Sequence, residues 1–324
     1  MKKKHYKQSK SRKLYDESCV FFDQYENNVT RKSYKINYRK FIKFCREHYG
    51  CKTKAECMEH ILDYVQYLIN KGLSASTIHT YLVPVALYHG VDLSLLNLPI
   101  RHTADNTRSR KERKHYRTNG DENNPKYAYS VGFQKCVGIR RDELKNLRGS
   151  DFVTDESGYL CVRVRQGKGG KMTLQRILPE DVEFIESYFK DKKPDEKIFK
   201  EKEISSHMSY HSLRHENAMR TYNYYLERIE NEEGYAEQLE EEIRRRWNKY
   251  NIDADTNMPK EFKEELIKDD DYEIKGKNIA LAKEKGLPLA YNRLALLACS
   301  VFHLSHWRLG VTVQNYILAV DNTD

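Results

Sequence analysis

The chain contains no long hydrophobic run. Its longest apolar stretch, Leu294 to Phe302, falls far short of the ~20 residues that a membrane-spanning helix needs, so no membrane partner is expected. No apolar segment follows the basic start Met1-Lys2-Lys3-Lys4, which argues against a secretory signal. The seven cysteines include no Cys-x-x-Cys pair, and the evenly spaced Cys45, Cys51 and Cys57 have no histidine pair at zinc-finger spacing. Buried thiols in a reducing cytoplasm are the expectation. His207, His211 and His215 recur every four residues, but the Glu of a His-Glu-x-x-His zinc protease is missing, so no metal site is assigned. The glycine-rich stretch Gly167–Gly170 is not a phosphate-binding P-loop, because no Ser or Thr follows its Lys. Internal repeats and low-complexity tracts are absent too.

What is present is charge, unevenly placed. A chain of 324 residues is long enough for about two domains. Residues 1–116 carry 23 Lys/Arg against 11 Asp/Glu, a net of +12, whereas residues 227–286 carry 12 against 18, a net of −6. A basic N-terminal third suits a polyanionic partner, because Lys and Arg displace counterions condensed on phosphates. A solvated basic face is the plainer alternative.

Residues 1–13 read as a short basic tail. Residues 14–105 read as a small all-helical domain. Thr30 is the expected cap of a helix whose face carries Tyr34, Tyr38, Phe41, Ile42 and Cys45. A second stripe, Ile61, Leu62, Val65, Leu68 and Ile69, stops at Gly72. Ser74-Ala75-Ser76-Thr77 offers caps for a third helix through Tyr81, Leu82, Val85 and Tyr88. Residues 106–123 form a basic linker, and Arg101, Arg108, Arg110, Lys111, Arg113 and Lys114 in and beside it are candidates to lie against phosphates. A second domain, 124–324, opens helical. It then shows a β-hairpin, Leu160–Arg165 and Met172–Ile177 around the glycine-rich turn. Pro179 starts a helix with Phe184, Ile185, Tyr188 and Phe189 on one face. Within 227–286 a charge-laced helix is expected, with pairs Glu240/Arg244, Glu241/Arg245 and Glu242/Arg246 and one apolar stripe, Tyr235, Leu239, Ile243 and Trp247. Met258-Pro259 breaks it.

The chemistry-bearing residues come in a fixed order: Arg140 in Gly138-Ile139-Arg140-Arg141-Asp142-Glu143-Leu144, Lys168 in Gly167-Lys168-Gly169-Gly170-Lys171, His211 and Arg214 in His211-Ser212-Leu213-Arg214, His306 in Leu304-Ser305-His306, then Tyr316. A phosphodiester repels nucleophiles and has a poor leaving group. Two guanidiniums, Arg140 and Arg214, can each donate paired hydrogen bonds to its non-bridging oxygens and stabilise a pentavalent transition state. A phenol can hold the cleaved strand covalently and conserve the bond energy for religation. Among 24 tyrosines, Tyr316 is singled out by its place after Leu-x-His; Tyr222, Tyr224, Tyr225 and Tyr291 lack that preceding signature. Lys168 or Lys171 at the hairpin tip can protonate the leaving 5′ oxygen. His211 is suited to accept the tyrosine proton or bond a non-bridging oxygen, and His306 to hydrogen-bond the phosphate. Glu143 either orients the basic cluster or makes a structural salt bridge.

This order, together with Gly72-Leu73-Ser74-Ala75-Ser76-Thr77-Ile78, resembles the tyrosine recombinase (phage integrase) family over roughly residues 14–226 and 287–318. The resemblance implies a mainly α fold with a small β-sheet, in a two-domain DNA clamp: a helical SAM-like core-binding domain plus a mixed α/β catalytic domain. It implies strand cleavage and rejoining through a 3′-phosphotyrosine and a Holliday junction. The partners would be double-stranded DNA recombination sites, further copies of the chain as a tetramer, and an accessory or directionality factor. No cofactor is implied. Lys168, rather than Lys171, takes the acid role. A mobile element or phage is the expected context, in the cytoplasm with the nucleoid. A type IB topoisomerase-like enzyme and a non-catalytic DNA-binding regulator of the same fold are the alternatives. Three departures stand out: Arg214 and His306 are 92 positions apart, the segment between the hairpin and His211 is short, and eight residues follow Tyr316. The stretch 227–286 is therefore expected to be a charged helical insertion that supplies or regulates subunit contacts.

Overall fold

The structure, a computed structural model, describes residues 10–102, 122–167, 170–206 and 208–318, with side chains from Lys13 onward. It divides into two units, Met1–Asn106 and Thr107–Asp324, and is mainly helical with a small antiparallel sheet. Among the described residues no helix is long and apolar enough to cross a membrane.

The first unit turns its aromatic stripes into five helices: α1 (Lys10–Phe22), α2 (Asn28–Tyr49), α3 (Lys54–Glu59), α4 (Ile61–Asn70) and α5 (Ala75–His89). Asn27, not Thr30, caps α2. Its Oδ1 accepts the backbone N–H groups of Val29 and Thr30 at 3.0 Å each. Ser74 caps α5 through the Thr77 N–H. Tyr38, Phe41, Ile42 and Cys45 are buried as their spacing demands, with Phe22, Leu82 and Val85 against them. Leu62 is the exception in its stripe. It is exposed because Ile61, Val65 and Leu68 already cover the inner face. All seven cysteines are free thiols, six of them buried. Arg101 is exposed. Arg108, Arg110, Lys111, Arg113 and Lys114 lie outside the described residues, as do the first nine residues of the tail and most of the linker.

The second unit is built around one long helix. It contains α6 (Ala128–Val137), α7 (Arg141–Leu144), β1 (Phe152–Thr154), β2 (Leu160–Val164), β3 (Thr173–Arg176), α8 (Val182–Glu186), α9 (Tyr210–Asn231) and α10 (Tyr235–Tyr250). Then follow β4 (Tyr272–Glu273), α11 (Asn278–Glu284), β5 (Ala290–Tyr291), α12 (Arg293–Ala298) and α13 (Leu309–Thr312). Two π-helical turns, Cys299–His303 and Val313–Ile317, extend α12 and α13. The hairpin of β2 and β3 is as its alternation predicts, with Val162 opposite Gln175; β1 adds a third antiparallel strand that the sequence did not announce. α9 joins two cores. Tyr210 and Leu213 pack with α6, α8 and the sheet, while Ala218, Tyr222 and Tyr225 pack with α10 and α12.

The stretch 227–286 departs most from expectation. Tyr235, Leu239, Ile243 and Trp247 are buried as a stripe, but in the same core as α9 and α12 rather than beneath a detachable subdomain. The charged face does not pair along the helix as expected. Arg244 turns to Glu264 at 2.6 Å. Glu242 and Arg246, only 2% and 4% exposed, turn inward to the sheet. There Arg176 binds Asp155 at 2.7 Å and Glu242 at 2.6 Å, while Arg246 binds Asp155 at 2.7 Å and also Glu156. Local i, i+4 pairing gains only a few tenths of a kcal/mol. A carboxylate with no route to water is worth far more to a guanidinium, so tertiary pairing wins.

This placement makes the apolar stripe of α10 part of the second unit's own core. Deleting 235–250 is expected to abolish cooperative folding of the second unit. Leu239→Ala should cost about 2–5 kcal/mol through the cavity it leaves. Arg176→Met should cost roughly 3–5 kcal/mol by leaving the buried Glu242 carboxylate without a guanidinium, while Asp155 keeps Arg246. Denaturant unfolding of the full chain measures both.

Candidate active site

The site is assembled by helix ends. α6 closes at Gly138, in the left-handed conformation (φ 63°). A Cβ there would come within 2.5 Å of Asn217 Oδ1, so this position of the Gly-Ile-Arg motif requires glycine on both counts. Asn217, one turn past Arg214 on α9, donates to the carbonyls of Lys135 and Cys136 and ties the end of α6 to α9. Arg140 then caps α7. Glu143 Oε2 accepts the Arg140 backbone N–H at 2.7 Å, and Oε1 accepts from its guanidinium at 2.6 Å. Glu143 thus serves as both helix cap and ion-pair partner, and it is buried while the Arg140 side chain stays 37% exposed.

Arg214 is 1% exposed. Its Nη1 donates to the Gly138 carbonyl at 2.6 Å and its Nη2 to the Leu304 carbonyl at 2.9 Å. Both carbonyls are C-caps, of α6 and of the π-helical turn after α12. Helix C-termini leave carbonyls without helical partners and carry partial negative charge. One buried guanidinium satisfies two of them. Its Nε stays buried without a partner, so donor capacity is left over.

The same guanidinium lies 5.5 Å from the centroid of the Tyr316 ring. Three imidazoles surround that ring: His211 at 5.4 Å, His215 at 5.5 Å and His306 at 6.2 Å between centroids. His211 and His215 pack edge to face on each other at 4.4 Å, one helical turn apart on α9. The other tyrosines named above are occupied elsewhere. Tyr225 pairs with His303, Tyr222 accepts from the Asn292 backbone, and Tyr224 accepts from Arg228. Tyr291 is buried against Tyr222.

His306 sits in the link between α13 and the π-helical turn that follows α12. Its neighbour Ser305 has φ 56°, a left-handed conformation unusual for serine, and Gln175 of β3 donates to the Ser305 hydroxyl. The Arg308 N–H points at His306 Nδ1 over 3.4 Å, which places the ring proton on Nε2, a buried donor without a partner. Burial, then the positive charges of Arg214, Arg308 and Arg140, push this imidazole down to about 3. At neutral pH it is therefore an uncharged N–H donor.

Of the sequence-derived residues, Arg140, Glu143, His211, Arg214, His306 and Tyr316 come together in this unit. Lys168 lies outside the described residues, as does His207. The turn that carries Lys168 is described at its ends: Gly167 donates to the Lys171 carbonyl at 2.8 Å, and Lys171 is exposed. A Cβ on Gly167 would lie 3.5 Å from Glu143 Oε1, so this turn passes beside the Arg140–Glu143 pair. His215 was considered only as a metal ligand, yet it flanks Tyr316; its i, i+4 spacing from His211 was the available signal. Among the described residues no group of three His, Cys, Asp or Glu side chains is arranged to hold a metal ion. The cluster offers a phenol, imidazoles and fixed positive charge within contact distance, a set suited to an oxyanion and to attack on it.

Among solved structures, the chain is similar to the crystal structure of XerA recombinase, at 18% identity over 65% of this chain and 84% of that chain, with a TM-score of 0.23. So low a TM-score carries no inference about fold or chemistry. No protein-family model matches the chain, and no curated protein does either.

The buried groups set an acid limit on stability. His306, pushed to about 3 from 6.5, and His89 in the first unit, pushed by burial to about 4, bind protons more readily when unfolded. Their contribution is full above pH 6.5 and is lost as pH falls toward those values. For Asp155, burial raises the carboxyl pKa, but Arg176, the Ser157 backbone N–H and Arg246 together hold it below the usual value, so its contribution is lost as pH falls through that lowered pKa. Unfolding free energy should therefore rise between pH 4 and 6.5. His306→Gln should flatten that slope in denaturant titrations, and an unchanged slope would show that His306 titrates normally.

Proposed function

We propose that this chain is a tyrosine-type site-specific DNA recombinase that cuts and rejoins strands without a cofactor. The observation that carries the reading is the convergence on the Tyr316 ring of Arg214, His211 and His306, although Arg214 and His306 are 92 positions apart in sequence. Arg140 belongs to the same centre in this reading, supported by the contribution of its positive charge to the lowered His306 pKa.

In this mechanism Arg140 and Arg214 hold the non-bridging oxygens of one phosphate, and the His306 Nε2–H donates to the same group. Tyr316 Oη attacks phosphorus while its proton passes to His211. The P–Oη bond forms, the P–O5′ bond breaks, and the leaving oxygen takes a proton from Lys168, with Lys171 as the alternative donor. The strand stays attached as a 3′-phosphotyrosine. Attack by the 5′ hydroxyl of a partner strand reverses each step and releases the enzyme. Exchange of two strands gives a Holliday junction, which calls for a tetramer on paired duplexes. The basic first unit and the candidates Arg101, Arg108, Arg110, Lys111, Arg113 and Lys114 would bind the duplex backbone. Integration or excision of a mobile element or phage is the role that fits, with the protein in the cytoplasm at the nucleoid.

Incubation with duplexes carrying a nick beside the scissile phosphate should trap a covalent adduct on denaturing gels. Tyr316→Phe should abolish the adduct, and Arg214→Gln should slow its formation by about 100-fold or more. An adduct that persists in Tyr316→Phe would put the nucleophile elsewhere. Site-independent relaxation of supercoiled plasmid would favour the topoisomerase reading, and an absence of any adduct the regulator.

Lys168→Ala should slow cleavage by roughly 10²-fold or more. A 5′-thiolate leaving group, which needs no proton, should restore the rate. Failure to restore it would move the acid role to Lys171.

A further inference from the structure

We propose that Trp247 of α10 is a positioning residue for His306, so that the acidic stretch between Arg214 and His306 is built into the active centre. This rests on the strand-transfer reading for its consequence, but not for its geometry.

The link Leu304–Arg308 joins the π-helical turn after α12 to α13 and has no regular structure of its own. It must nevertheless present the Leu304 carbonyl to Arg214 and the His306 ring to Tyr316. Internal bonds fix it only partly: the His306 N–H donates to the Ser300 carbonyl at 3.0 Å, and Ser305 is in a left-handed conformation. The remaining constraints come from α10 and β3. Trp307, directly after His306, meets the indole of Trp247 edge to face at 4.9 Å. Trp247 is itself pinned, 5% exposed, with its Nε1 donating to the Lys260 carbonyl at 2.7 Å and Phe262 on its other side. Below the link, the guanidiniums of Arg176 and Arg246 lie 3.5 and 5.0 Å from the Phe302 ring centroid. Gln175, next to Arg176, donates to Ser305. The buried network of Asp155, Glu242, Arg176 and Arg246 therefore fixes both α10 and the floor of the link.

An edge-to-face aromatic contact is directional, so it sets the rotation of Trp307 and, through the adjoining backbone, the direction of the His306 ring. Loss of the indole would remove this constraint on Trp307 and loosen the His306 ring. Misplacement of a transition-state donor slows the chemical step while leaving binding of the duplex intact.

The test uses the full chain with Trp247→Ala, Trp247→Phe and, as a destabilised control in the other core of the unit, Ile185→Ala. Trp247→Ala should lower the maximal rate of adduct formation by about 10-fold or more at unchanged half-saturating DNA concentration. Trp247→Phe, which keeps an aromatic edge, should stay within about threefold of wild type. Ile185→Ala should match wild type once corrected for folded fraction. Histidine NMR titration supplies the second readout: the His306 midpoint should move up toward the ordinary imidazole range in Trp247→Ala only. Should Trp247→Ala not fold, Trp247→Leu, which keeps apolar volume without the ring, takes its place. An unchanged rate and midpoint, or equal losses in Ile185→Ala, would overturn the proposal. If the wild-type protein forms no adduct, the recombinase reading fails and the titration alone decides the role of Trp247.

Discussion

Burial of the Arg214 guanidinium is the constraint on which the second unit depends. A permanent charge almost without solvent contact is tolerable only where acceptors are fixed in advance. Here they are carbonyls that two helices cannot use themselves, at Gly138 and Leu304. The same residue therefore closes α6, closes the turn after α12, and sets a positive charge beside Tyr316. Both carbonyls are backbone groups. The charge is located by the course of the chain.

A second layer of buried charge serves a different end. Arg176 and Arg246, with Asp155, Glu156 and Glu242, join the sheet to α10 beneath Phe302. Hydrophobic residues of similar volume could give equal or greater stability. The network ties α10 to the sheet by directional bonds, and α10 in turn carries Trp247 to Trp307. Precision at the link around His306 is the property this arrangement favours.

Much of this was legible in the chain. The α2 stripe, the Ser74 cap, the hairpin and the stripe Tyr235, Leu239, Ile243 and Trp247 all follow from periods of 3.6 and 2 that burial enforces. The candidate set Arg140, His211, Arg214, His306 and Tyr316 could be picked out by chemical type and order. Three features could not. Asn27 outcompeted Thr30 as a cap because its carboxamide reached two N–H groups. β1 is too short to show alternation. The charged partners of Glu242 and Arg246 lie 66 to 91 positions away, where local spacing has no information.

The sequence by itself determined which groups are available: fixed cations, imidazoles, one phenol in a distinctive setting, and an acidic stretch with a single apolar stripe. Short-range sterics and hydrophobic period suffice for that. Tertiary structure alone decided that the apolar stripe of the acidic stretch joins the core, that His215 flanks Tyr316, and that His306 is neutral. Each of these depends on what a side chain meets across the fold, and desolvation and long-range charge pairing exist only once distant segments have packed.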